Sequence, residues 1–123
     1  MAAGASEAID MNAAIDRGHL RRMTFGDRTL EQDVLELFDR QATILIGRMR
    51  AGDAAVVGSL AHTLKGSALG IGAGPVADAA QSVENAVGQA AAGSAGDVSA
   101  AIDRLAAKVE EARALIALLL RDA

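Results

Sequence analysis

Residues 53–75 read DAAVVGSLAHTLKGSALGIGAGP, and the organisation of the chain follows from this stretch. Asp53 is a residue type whose side chain accepts from the first free N–H groups of a helix. Behind it Val57, Leu60, Ala61, Leu64, Ala68 and Ile71 recur at intervals of three and four, the spacing of one buried helical stripe. Gly70, Gly72 and Gly74 end that helix. Pro75 suits the first position of the next one, because its missing N–H would be unpaired there in any case. His62 falls beside the stripe, not within it. Positions three and four apart share a helix face, so His62 lies on one ridge with Gly58 and Gly66, flanked by Lys65, Ser59 and Leu69. An interior glycine costs a helix about 1 kcal/mol relative to alanine, and two of them, one turn either side of the same histidine, imply a compensating gain. We read that gain as access. A ring without bulky neighbours can be approached closely by another protein, and Lys65 supplies positive charge for an arriving anion such as a phosphoryl group.

Working outward, the spacing predicts further helices on both sides. Towards the N-terminus, Met11, Ile15, Leu20 and Met23, interrupted by Gly18, mark a short helix that starts after Asp16 and acts as a lid. Phe25-Gly26-Asp27 is a turn with Asp27 as N-cap. A long helix follows, with Leu30, Val34, Leu37, Phe38, Leu45 and Met49 inward and Gly52 as its stop. Towards the C-terminus, a helix over about 75–91 turns Val76, Ala80, Val83, Val87 and Ala90 inward and keeps Asp78, Gln81, Glu84, Asn85 and Gln89 on its polar side. Ala92-Gly93-Ser94-Ala95-Gly96 is a hairpin connection, and Val98, Ile102, Leu105, Val109, Ala112, Ile116 and Leu119 form the seam of a last helix. No strand pattern competes. The expected fold is all-α: an antiparallel up-down four-helix bundle with a short additional N-terminal helix. Its expected limits are a flexible segment over 1–12 and a single helical domain over 13–123.

Composition narrows the function. The chain has 123 residues, 51% hydrophobic but only 2% aromatic, with Phe25 and Phe38 the only rings, so one core built of Ala, Leu, Val and Ile is expected. Twelve basic and 16 acidic residues give a net charge of −4, against the concentrated basic surface and aromatic platforms of nucleic-acid binding. No apolar run is long enough to span a bilayer, and residues 1–8 lack the basic start and apolar core of a signal peptide. Cysteine is absent, which excludes disulfides and thiolate metal sites and suits a reducing compartment. A cytoplasmic, monomeric protein is expected, without cofactor or metal.

The same residues carry a resemblance. His62, Leu64, Lys65, Gly66, Ser67, Ala68, Gly72 and Ala73 reproduce the pattern H-x-L-K-G-S-[SA]-x(3)-G-A, and the chain resembles the histidine phosphotransfer (HPt) domain family. The likeness extends over roughly residues 15 to 120, since Ile15-Asp16, Phe25-Gly26-Asp27 and Leu37-Phe38 are also similar to that family. It implies a histidine phosphotransfer protein that relays a phosphoryl group between receiver-domain aspartates of a two-component phosphorelay through His62. The implied partners are a response-regulator receiver domain and a hybrid sensor kinase. One alternative is a non-transferring helical docking module that binds a receiver or a sensor kinase. Another is the dimerising histidine domain of a sensor kinase, against which Thr63 stands where an acidic residue would follow the histidine.

The residues assign the remaining roles. A neutral imidazole is a competent nucleophile toward an acyl phosphate, and no glycine-rich nucleotide loop or magnesium-binding carboxylate cluster is evident, so autonomous kinase activity is not expected. Lys65 would stabilise the phosphate and Gly66 would give steric access. Ser67 either bonds back to the carbonyl one turn earlier or contacts the phosphate. A nucleophilic ring nitrogen needs its partner nitrogen protonated and held by an acceptor. If the helices before and after the 70–74 turn run antiparallel, His62 faces roughly residues 81 to 85, and of Gln81, Glu84 and Asn85 the carboxylate of Glu84 is the expected acceptor. His19 and the neighbouring Arg17, Arg21 and Arg22 read as a solvated face that could flank the docking surface.

Overall fold

The computed structural model describes residues 14–93 and 97–121. The expected flexible segment over 1–12 and Ser94, Ala95 and Gly96 of the expected hairpin connection lie outside these residues. Each helix starts where the sequence supplies a side-chain acceptor or an N-terminal proline. In α1 (Arg17–Met23) the N-cap Asp16 accepts from the backbone N–H of His19 at 3.0 Å. In α2 (Arg28–Ala51) Asp27 accepts from Leu30, and in α3 (Ala54–Ile71) Asp53 accepts from Val56. No side chain caps α4 (Gly74–Ala91); it begins on Ala73, with Pro75 at its second position instead of its first. In α5 (Val98–Arg121) the Asp97 carboxylate accepts from Ala100 at 2.9 Å.

The long helices pack in sequence order, α2 on α3, α3 on α4 and α4 on α5, and α2 closes the ring on α5. Short connections force successive neighbours to run antiparallel, giving a four-helix bundle. Among the described residues there is no strand. The core is aliphatic, as the composition requires: Leu35, Met49, Leu64, Val76, Val83, Leu105, Val109 and Ile116 are almost fully buried. Phe38 joins them, while Phe25 lies exposed in the turn after α1 with a positive φ of 55°.

Three inward positions expected from periodicity are corrected. Leu30 and Leu37 are exposed and Leu35 is buried instead, because α2 meets two neighbours, α3 and α5, on different sides of its axis. Ala90, near the end of α4, is exposed.

The α3–α4 junction positions the site. Gly72 ends α3 with φ 80°, ψ 20°, the left-handed conformation that glycine adopts without a Cβ penalty. Its carbonyl accepts from the Asp16 N–H at 2.8 Å, and a Cβ here would lie 2.9 Å from the Asp16 carbonyl oxygen. With Ile15 and Leu20 fully buried, α1 is tied to the C-terminal end of α3.

Candidate functional site

His62 projects from the middle of α3 towards solvent, its side chain 71% exposed. The turn at Gly72 sets the register of α4, and that register brings Glu84 opposite the ring. Nδ1 of His62 lies 3.1 Å from Glu84 Oε1. A carboxylate only accepts, so the hydrogen bond assigns the proton to Nδ1 and leaves the Nε2 lone pair free. Glu84 is the better shielded partner, its side chain 22% exposed.

Lys65 stands one turn after His62, and its Nζ is 2.9 Å from Glu84 Oε2. The ammonium also donates to Gln81 Oε1 at 2.9 Å, and Gln81 Nε2 in turn donates to Asn85 Oδ1 at 3.0 Å. The carboxylate therefore bridges an imidazole and an ammonium, and the amides of Gln81 and Asn85 on α4 fix the lysine in place. The Glu84 carboxyl is held below its ordinary value of 4.5, chiefly by the Lys65 ammonium; partial burial opposes this, and His62 adds to it. Sequence reasoning placed Lys65 beside the ring as a positive charge for an arriving anion. The side chain instead folds back onto α4 and is only 23% exposed, because its four-carbon stem can reach an acceptor across the helix interface.

The two glycines next to His62 differ. At Gly66 a Cβ would meet nothing within 4 Å, so the helix surface beside the ring is open. At Gly58 a Cβ would lie 3.4 Å from Val87 Cγ1. Gly58 therefore faces Val87 of α4 at ordinary van der Waals distance, and the expectation that it opens the surface beside the ring, as Gly66 does, is corrected.

Ser67 stands apart from this cluster. It lines a groove of about 260 Å³ between α2 and α3 with Gln41, Ile44, Leu45, Arg48 and Thr63. Among the described residues its hydroxyl makes no hydrogen bond to the carbonyl one turn earlier, in contrast to Thr63, which donates to Ser59 O at 3.2 Å. His19, read from sequence as solvated, is half-buried, and its Nε2 lies 3.2 Å from the Gly70 carbonyl oxygen. Leu69, which the sequence places beside His62, is exposed, and so are Leu37 and Ile44 of α2, which periodicity did not single out as surface apolar residues. Ile44 lines the α2–α3 groove with Thr63 and Ser67, a juxtaposition of two helices that the periodicity of one helix does not reveal.

These features define a class: a helical bundle that presents one imidazole outward and holds it from behind with a carboxylate. The Hpt domain model matches residues 28–115, more than half of the chain, and the protein belongs to the Hpt domain family. Members of that family are phosphocarrier modules of phosphorelays, working with receiver domains and kinases, and are not autonomous kinases. The matched residues run from the start of α2 into α5 and leave α1 outside. Comparison with curated proteins and with solved structures finds no match. Among the described residues no helix is long and apolar enough to cross a membrane.

Proposed function

We propose that His62 is the phosphoacceptor of this chain and that it exchanges a phosphoryl group with the aspartate of a receiver domain. The observation that carries this reading is the 3.1 Å contact of Nδ1 with Glu84 Oε1 on a ring otherwise open to solvent. It gives Nε2 the free lone pair and the outward aim that a nucleophile needs. In the forward direction Nε2 attacks the phosphorus of the aspartyl phosphate, an N–P bond forms, the P–O bond to the aspartyl carboxyl breaks, and the carboxylate leaves. The partner supplies the aspartate and its metal ion. As the ring acquires positive charge, the Nδ1–H bond to Glu84 strengthens, because a charged donor meets a charged acceptor. Lys65, one turn away, exchanges its bond to Glu84 for the new phosphoryl oxygens.

Access to the ring fits the same reading. Gly66 adds no side chain beside it, Leu69 on the same helix is exposed, and Leu37 and Ile44 offer apolar contact area along the neighbouring α2–α3 groove. Gln81 holds Lys65 within reach. Ser67 faces the α2–α3 groove, where its contact is with the docked partner and not with the phosphate. A receiver domain, free or within a hybrid sensor kinase, is the partner of this face. The module acts as a cytoplasmic monomer, and a sedimentation profile independent of concentration is the check on that state.

The test is transfer of label from a phosphorylated receiver. Wild type gains an acid-labile, base-stable phosphoryl group, and His62→Gln keeps its helical spectrum and gains none. Label retained by the variant, or receiver binding by wild type without any transfer, overturns the reading; the second outcome would leave a docking module.

A further inference from the structure

Arg17, Arg21 and Arg22 are exposed, as expected of a solvated face. Arg17 and Arg21 also line an open cavity of about 340 Å³ between α1, the start of α2 and the end of α5, and Arg28 of α2 lines it with them. Leu35 and Leu119 form its apolar wall, and Glu31 is the acidic residue of its lining. Among the described residues none of the three guanidiniums lies within 4.0 Å of a carboxylate. Other arginines of the chain do find such partners: Arg50 pairs with Asp103, and Arg113 with Asp39 and Glu110.

The local placement of these charges is unfavourable in two ways. Arg17 and Arg21 are four apart on one helix, a repelling like-charge pair. Arg28 is the first residue of the 24-residue helix α2, at the positive end of its dipole, where a cation is disfavoured. An anion seated in the cavity would relieve both at once.

We propose that this cavity binds a small phosphomonoester. Three guanidiniums against one carboxylate leave a net charge of two, which matches a dianion. Arginines of two different helices line the space, and a tetrahedral phosphoryl group offers three oxygens to guanidiniums so placed, where a carboxylate offers two in one plane. The apolar wall takes the ester's carbon chain, and Glu31 accepts from its hydroxyl. The volume falls at the small end of ligand sites, too little for a nucleotide together with its base, and the lining holds no aromatic ring on which a base could stack. No residue of the cavity belongs to the His62 cluster, so the site stands or falls independently of the phosphotransfer reading. Because α1 also clasps the end of α3 through Asp16 and Gly72, an occupant would fasten α1 to α2 and α5.

The experiment titrates the full chain with glycerol 3-phosphate at constant ionic strength and follows backbone amides by two-dimensional NMR, with succinate as the dicarboxylate control. Expected are saturable shifts confined to α1, the first two turns of α2 and the end of α5, with a Kd of about 1 mM or tighter. Succinate should bind at least about fivefold more weakly, and Arg21→Gln/Arg28→Gln should weaken the phosphoester about tenfold or more. Both replaced side chains are exposed, and the amide spectrum of the unliganded variant reports its fold. If that variant were misfolded, Arg28→Gln alone, which removes a cation from a helix N-terminus, should still weaken binding severalfold. Shifts that never saturate, that succinate reproduces equally, or that survive both variants would show charge screening or an adventitious ion only, and would overturn the proposal.

Discussion

Replacing Glu84 by alanine tests the proposed site most directly, because it removes the group that bridges His62 and Lys65 while leaving both of its partners in place. A hydrogen bond involving a charged group contributes about 1.5–3 kcal/mol, and about 1.4 kcal/mol corresponds to a factor of ten in rate. Losing the whole constraint on the ring would therefore slow transfer by about 10- to 150-fold. His62 is 71% exposed, and water can replace part of the lost hydrogen bond, so we expect the lower end, about tenfold. Glu84→Gln retains a neutral acceptor for Nδ1–H and should fall between, at about threefold. The assay is rapid-quench transfer from a phosphorylated receiver, paired with 15N NMR of the His62 ring. In wild type the nitrogen shifts should report the Nδ1–H tautomer; in Glu84→Ala they should report a mixture of tautomers. Transfer at the unmodified rate together with an unchanged tautomer would refute the reasoning, since the contact would then be geometry without consequence.

Lys65→Ala should shorten the lifetime of the phosphorylated protein by about tenfold, because it removes the nearest cation from a dianionic group; phosphohistidine decay measures it, and an unchanged half-life would reduce Lys65 to a partner of Glu84 alone. At Gly66 stability and activity should part company: Gly66→Ala has open space for its Cβ and should stabilise the fold by up to about 1 kcal/mol, whereas Gly66→Leu should fold equally well and transfer more slowly, compared by thermal unfolding and transfer rate. Gly72→Ala should destabilise by about 2 kcal/mol or more, since it forces a side chain into φ 80° and against the Asp16 carbonyl; denaturant unfolding gives the number. The lowered pKa of Glu84 predicts a pH effect with a definite sign. Below the ordinary value of 4.5 the unfolded chain binds the proton more readily than the folded one, so the stability from this carboxylate is present above that pH and is lost as pH falls through the folded value. Wild type should therefore lose more stability than Glu84→Gln between pH 5 and 3.

What the sequence made legible depended on whether a feature is periodic or reaches across an interface. Helix ends were readable because caps are local: Asp16, Asp27 and Asp53 each accept from a backbone N–H three residues on. The meeting of His62 with Glu84 was readable because a short turn makes register a matter of counting, and the count from residues 70–74 falls on 81 to 85. Lys65 was not readable in the same way. Its backbone position follows from the helix, but where its ammonium ends is decided by rotamers on a flexible stem and by which acceptors stand on α4. Gly58 shows the complementary failure. A helical wheel puts it on the ridge of His62, yet it cannot say how near the next helix passes, and Val87 lies there. The inward face of α2 was misread at Leu30 and Leu37 for a similar reason, since a single stripe does not describe a helix that packs against two neighbours.

The proposed role explains why one carboxylate serves two cations. Before transfer, Glu84 pairs with Lys65 and accepts from a neutral ring, so the three groups sum to zero charge and Oε2 is shielded from water. After transfer, the ring carries the positive charge and the phosphoryl group brings two negative ones. Glu84 then pairs with the imidazolium, while Lys65 is released to the phosphoryl oxygens. Glu84 keeps a cationic partner in both states, Lys65 before transfer and the imidazolium after it, so the carboxylate is never left without a counter-charge, which would cost several kcal/mol. A carrier needs this balance: if Lys65 were free from the outset, the phosphorylated state would gain a contact that the unphosphorylated state lacks, and return of the phosphoryl group would be slowed by that difference. Held by Glu84 and Gln81 beforehand, Lys65 gives up one acceptor for another, and the exchange stays close to reversible in both directions.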